Sequence, residues 1–128
     1  YAYSLLKQYK GEWEFDPNWK MIFGHPKKAG WITAIQEAQQ TVQKGLKLDC
    51  PILVMSSNKS FPETETWHDE YMTSDIVLDV QDIQKYGEKL GDKVTRDTIP
   101  NGIHDLILSQ KPYRNDAYQT IFEWLKKQ

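Results

Sequence analysis

The stretch CPILVMSS, residues 50–57, decides the fold class. Ile52 to Met55 is a continuous apolar run of mostly branched residues, with no polar residue alternating through it. An antiparallel strand with one wet face would alternate. A run apolar on both faces is the pattern of a parallel strand inside an α/β sheet. The flanks agree. Upstream, Trp31, Ile35, Ala38, Val42 and Leu46 recur at three- and four-residue steps, which predicts a helix over about residues 30–46 with one apolar face. Downstream, residues 58–78 are polar and read as a loop with a helical turn, carrying Pro62, Trp67, His68 and Tyr71.

A second helix is expected over 79–90, with Val80, Ile83 and Leu90 on one face, Asp79 at its start and Gly91 at its stop. The run KVTRDTI, ending at Ile99, reads as the next strand. DLILS, residues 105–109, is a short apolar segment. A last helix is expected over about 114–127, with Tyr118, Ile121, Phe122 and Leu125 sharing a face. Residues 1–29 differ: Trp13, Phe15, Trp19, Met21 and Phe23 are interleaved with Gly11, Pro17, Gly24 and Pro26, which allows a short extended piece and packing against other elements. The order over residues 30–128 is therefore helix, strand, helix, strand, helix, the logic of a βαβ unit. Two strands make a poor sheet in isolation. The expectation is an α/β chain whose neighbouring strands lie outside these 128 residues, and a start at Tyr1 rather than Met fits that.

Composition narrows the function classes. The chain is 39% hydrophobic and 27% charged, with a net charge of −2 and scattered basic residues, so nucleic acid and acidic membranes are poor partners. No apolar run approaches the ~20 residues of a membrane span, and no signal peptide is visible. The single cysteine, Cys50, excludes an internal disulfide and points to a cytoplasmic setting; beside Pro51 it reads as a small buried residue. The histidines at 25, 68 and 104 have no metal-ligand spacing, so neither a metal nor a cofactor is expected.

His104 has the most suggestive position. It follows the Pro100-Asn101-Gly102 turn at the exit of the second strand, and sites in open α/β sheets form at the carboxyl ends of strands. On position alone it is either a general base or an ordinary loop histidine. Ser56, Ser57 and Ser74 are the serines nearest these loops, and none sits on a Gly-flanked strand-to-helix turn. No G-x-S-x-G occurs anywhere in the chain.

The series PILVMSS, SDIVLDV, KVTRDTIPNGIHDLILS and YQTIFEWL, in that order and spacing, resembles the C-terminal half of a serine α/β-hydrolase of the lysophospholipase-like or serine-aminopeptidase-like branch. GEWEFDPNWK and GWITAIQEAQQ resemble the cap-adjacent stretch that precedes it. The resemblance implies that residues 1–128 are the C-terminal part of one three-layer hydrolase domain, lacking its earlier strands, with 1–29 as the aromatic cap-adjacent segment. It implies His104 as catalytic base and a carboxylate as its partner, with the serine elbow upstream. Asp75, heading DIVLDV, is the preferred acid. Asn58 stands where many members carry aspartate, and an amide there would cripple the site. Asp79 is the alternative acid, though it and Asp82 also read as helix-start charges, and Asp105 reads as a loop or cap residue.

The implied activity is cleavage of a carboxylic ester or related acyl bond in a small or lipid-like substrate, by a full enzyme rather than by this chain alone. An acyltransferase would use the same site. The other class is a non-catalytic interaction module that self-associates or binds the missing N-terminal half through its open sheet edge.

Overall fold

The computed structural model describes every residue except Tyr1, Pro17, Ile22, Phe23 and His25, so the readings of Phe23 and His25 lie outside the described residues. Among the described residues there are four α-helices and one two-stranded parallel sheet. The order is α1 (Ala2–Leu5), α2 (Ala29–Lys44), β1 (Ile52–Ser57), α3 (Val80–Gly87), β2 (Val94–Ile99) and α4 (Lys111–Leu125). Single 3-10 turns lie at Asp69–Met72, Glu88–Leu90 and Leu106–Leu108.

The two strands run in strict register, from Ile52 opposite Val94 to Ser57 opposite Ile99. Alternation then sorts the side chains onto two faces. Val54, Ser56 and Arg96 meet α3: the Gln84 amide donates to Ser56 Oγ at 2.8 Å, and the Arg96 guanidinium donates to the Gln84 carbonyl at 3.1 Å. Gly87 lets α3 come close, because a Cβ there would stand 2.7 Å from Val54 Cγ1. Thr95 is on the opposite face, where the Trp124 indole of α4 donates to its Oγ1 at 3.1 Å. One helix thus covers each face of the sheet, joined by a β1–α3–β2 crossover.

Two expected helices form but bury less than their periodicity suggested. α2 begins at Ala29, close to the expected start, yet no residue of it is buried, and Trp31 is 53% exposed. Its hydrogen bonds to the rest of the chain gather at its C-terminal end, where the Lys89 ammonium donates to Gln43 O at 2.9 Å, Leu46 N–H donates to Lys89 O and Leu48 N–H to Leu90 O. α4 starts at Lys111 rather than 114 because Pro112 sits in its first turn, where a missing N–H costs nothing. Its buried residue is Ala117, whereas Tyr118, Phe122 and Leu125 face outward. The strand core is also only partly covered: Ile52 to Met55 are half-buried, and full burial comes at Ser56 and Ser57.

The closed hydrophobic core lies elsewhere. Leu5 and Leu6, at the end of the one-turn α1, pack with Ile103, flanked by Phe15 and Leu108. A parallel bridge pairs Leu6 with Trp13, giving the short extended piece expected in this region. The Trp13 indole donates to Leu108 O at 2.9 Å. The N-terminal segment therefore packs against the loop that carries His104.

Candidate active site

Both strands end at the same edge of the sheet, and the two loops that leave them converge. β2 exits through Pro100, then Asn101 at φ 60°, a left-handed conformation that asparagine tolerates better than most residues. Gly102 follows; a Cβ on it would lie 2.6 Å from Leu106 Cδ2. Each N–H along this turn has an acceptor. Asn101 N–H donates to Asn58 Oδ1 at 3.0 Å, Gly102 N–H to Ile99 O at 3.0 Å, and Ile103 N–H to Ser109 Oγ at 3.0 Å. Ser109 is completely buried, and its carbonyl accepts from the Arg114 guanidinium at 3.2 Å. The backbone leading into His104 is thus fixed from three directions.

The loop leaving β1 makes an excursion and returns. Its two ends are bridged: Asp75 N–H donates to Lys59 O at 3.0 Å, and Phe61 N–H donates to Asp75 O at 2.9 Å. The excursion carries its own aromatic cluster, in which Phe61, Trp67 and His68 surround Tyr71 with ring centroids 5.4–5.7 Å from it. The Tyr71 hydroxyl accepts from Thr64 N–H at 2.7 Å. Asp75 emerges from this closed loop beside the end of β1.

The Asp75 side chain is 2% exposed and the His104 side chain 28%. Asp75 Oδ2 lies 2.9 Å from His104 Nδ1. The other carboxylate oxygen, Oδ1, accepts from Val77 N–H at 2.8 Å and from Leu78 N–H at 2.9 Å. Two backbone donors therefore fix the plane of the carboxylate. A carboxylate can only accept, so the imidazole proton belongs on Nδ1, and the neutral ring carries its proton-accepting lone pair on Nε2.

The other carboxyl and amide candidates have different work. Asp79 caps α3, accepting from Gln81 N–H at 2.8 Å. Asp82 is an exposed charge in the first turn of the same helix. Asp105 points to Lys20, with 2.6 Å between Oδ2 and Nζ. Asn58 Oδ1 accepts from Asn101 N–H and so holds the turn that leads to His104. Ser56 Oγ is committed to Gln84 and to the Ser57 carbonyl. Ser57 and Ser74 are both buried. Cys50 is exposed rather than buried, because it precedes the first paired residue of β1. It lies at the opposite end of the sheet from His104, about 20 Å away along six strand residues. Among the described residues no three His, Cys, Asp or Glu side chains converge as a metal site, and no helix is long and apolar enough to cross a membrane.

The contributions of Ser109, Arg114 and Trp13 to this loop had no sequence signal: each acts through a backbone group whose position only the fold defines. No family model, curated protein or solved structure matches the chain.

Proposed function

We propose that this chain supplies the acid and the general base of a serine hydrolase that cleaves carboxylic esters or related acyl bonds, and that the nucleophile comes from polypeptide outside these 128 residues. One observation carries the reading: the buried Asp75 carboxylate, held by two backbone N–H groups, meets His104 Nδ1 at 2.9 Å at the carboxyl edge of a parallel sheet. A surface ion pair needs neither the burial nor the backbone clamp. Orienting an imidazole needs both.

In the mechanism, His104 Nε2 takes the proton of a serine hydroxyl as its oxygen attacks the substrate carbonyl. The same nitrogen then gives that proton to the leaving alcohol, and an acyl-enzyme remains. Water repeats the sequence and releases the acid. Asp75 keeps the tautomer and stabilises the imidazolium formed in each half. An acceptor alcohol in place of water would give an acyltransferase at the same site. The outward apolar residues of α2 and α4, and the single pairing partner of β1 among the described residues, support association with the strands of that polypeptide or with a second copy.

The test uses a fluorophosphonate probe and p-nitrophenyl butyrate on two proteins: this chain, and the product of the longer reading frame that encodes it. The chain alone should neither turn over ester nor take the label. The longer protein should do both, with the label on a serine outside residues 1–128. A labelled serine within this chain, or a longer protein that is inert to both reagents, overturns the reading.

A further inference from the structure

Asn58 and Lys59 are consecutive, and each holds a different half of the candidate acid–base pair. Asn58 Oδ1 accepts from Asn101 N–H in the turn leading to His104. Lys59 O accepts from Asp75 N–H. The two grips share one piece of backbone at the end of β1, just past the last register pair, Ser57 opposite Ile99. Lys59 N–H in turn faces Ser57 Oγ at 3.4 Å. The separation between the histidine loop and the acid loop is therefore set by two adjacent residues rather than by two independent loops.

Asn101 is where such a grip has most effect. Among the described residues it is the only non-glycine at positive φ, and left-handed backbone in a residue with a Cβ persists where its surroundings hold it. Ile99 O and Ser109 Oγ hold the next two N–H groups, but both belong to the histidine loop and its own flanks. Asn58 is the side chain that reaches this turn from the acid side.

We infer that Asn58 is a positioning residue: by gripping Asn101 it sets the His104 ring against the Asp75 carboxylate. The inference rests on the acid–base reading of His104 and Asp75, and it explains an amide at this position. The role calls for an acceptor of the right reach, and a negative charge is not required.

The test reads the ring rather than turnover. This chain is labelled with 15N-histidine, and the His104 ring signals are assigned by their loss in His104→Gln. The wild-type chain should show Nδ1 protonated, with its proton slow to exchange. Asn58→Ala should hasten that exchange at least tenfold and mix the tautomers. Asn58→Asp, which keeps an acceptor at the same reach, should restore the wild-type pattern. Asn58→Gln, which keeps the amide but displaces it by one methylene, should behave like Asn58→Ala and decides the matter should the alanine variant fold poorly. A thermal midpoint that is the same in Asn58→Asp and Asn58→Gln separates positioning from general stability.

A wild-type ring spectrum in Asn58→Gln, or an Asn58→Asp variant as disturbed as the alanine one, overturns the inference. The catalytic reading is tested separately, by the fluorophosphonate result, which is independent of this spectrum. If Asp75→Asn abolishes the Nδ1 proton signal while the Asn58 variants do not, the pair stands and the positioning role falls.

Discussion

The carboxyl edge of the sheet and helix α2 are held in opposite ways. At the edge, the residues around His104 are nearly all committed: Asn101, Gly102 and Ile103 each donate to a defined acceptor, and Asp75 uses both carboxylate oxygens. α2 spans sixteen residues, has no side-chain cap at its start, and buries none of its side chains. The edge is built from short irregular segments with polar side chains; α2 is regular and carries the better apolar stripe. Regularity and apolarity alone do not show where a molecule is rigid. What matters is whether a second element arrives to meet the side chains, and at the carboxyl edge three loops do. This is the pattern expected of a site, where geometry must be held to a fraction of an ångström.

The sharpest way to break this comparison is to remove one charge from the edge. In the longer hydrolase proposed above, Asp75→Asn should lower kcat for an ester by roughly 10,000-fold. An amide at that position would present an N–H to Nδ1 or lose the charge that stabilises the imidazolium. Asp79→Asn is the matched control: its side-chain oxygen caps α3 at Gln81, and asparagine caps about as well, so the change should cost helix stability no more than a few tenths of a kcal/mol and leave kcat within a few-fold. Steady-state kinetics on the two variants decide between them. A larger loss in the Asp79 variant would transfer the acid role.

Next in size is the contrast in packing. Ile103 is 2% exposed and packs with Leu5 and Leu6 one residue before His104. Ile103→Ala should cost about 2–5 kcal/mol, through lost transfer energy and the cavity left behind. Ile35, on α2, is 38% exposed and lines an open groove shared with Ile83 and Tyr86 of α3. Ile35→Ala should change stability by no more than about 0.5 kcal/mol, since alanine is also the better helix former. Urea unfolding of this chain measures both. A costly Ile35→Ala would mean that α2 is covered in solution, by a second copy if the cost depends on protein concentration.

That contrast also explains which parts of the fold were legible. β2 was readable to the residue at its end, where its β-prone run is cut by Pro100 and Asn101-Gly102, and to within one residue at its start, Val94 rather than Lys93. β1 was readable at its start but runs two residues further than its apolar run. Ser56 and Ser57 continue the ladder because Thr98 and Ile99 pair with them, and Gln84 satisfies the Ser56 hydroxyl. The helices were legible as helices and not as buried faces: periodicity states which side could be buried, while burial needs a neighbour that no local pattern names. α1 escaped notice because four residues show no period, although Leu5 and Leu6 anchor the core. At the site, Asp75 and His104 are 29 residues apart, and nothing in that spacing pairs them; the expectation came from resemblance. Asn58 drew notice only as an amide where the resembled family often has aspartate, because its position along the chain was visible and its reach across to Asn101 was not.

The smallest expected effect lies at the rim of the edge, where the excursion before Asp75 meets the N-terminal segment. Asp69 Oδ1 accepts from the Trp67 indole N–H at 2.9 Å and from the Lys10 ammonium at 3.4 Å, and that ammonium stands 4.7 Å from the Trp67 ring centroid. The Trp67 hydrogen bond first, then the hydrogen bond and charge of Lys10, hold the Asp69 carboxyl below its ordinary 3.8. A lowered value in the folded chain stabilises it above the ordinary value, and the contribution is lost as pH falls through the lowered one. Asp69 is fully exposed, so its contribution is best read as a titration midpoint rather than as a stability. Trp67→Phe should raise the midpoint more than Lys10→Met does, by carboxyl-carbon NMR. High salt should erase most of the Lys10 share, because the Debye length shrinks to about 3 Å at 1 M, and leave the indole hydrogen bond in place. If Lys10→Met moves the midpoint further than Trp67→Phe, the rim is held by charge alone. It would then differ in kind from the hydrogen-bonded interior of the same edge, where Asp75 is fixed by directional backbone donors.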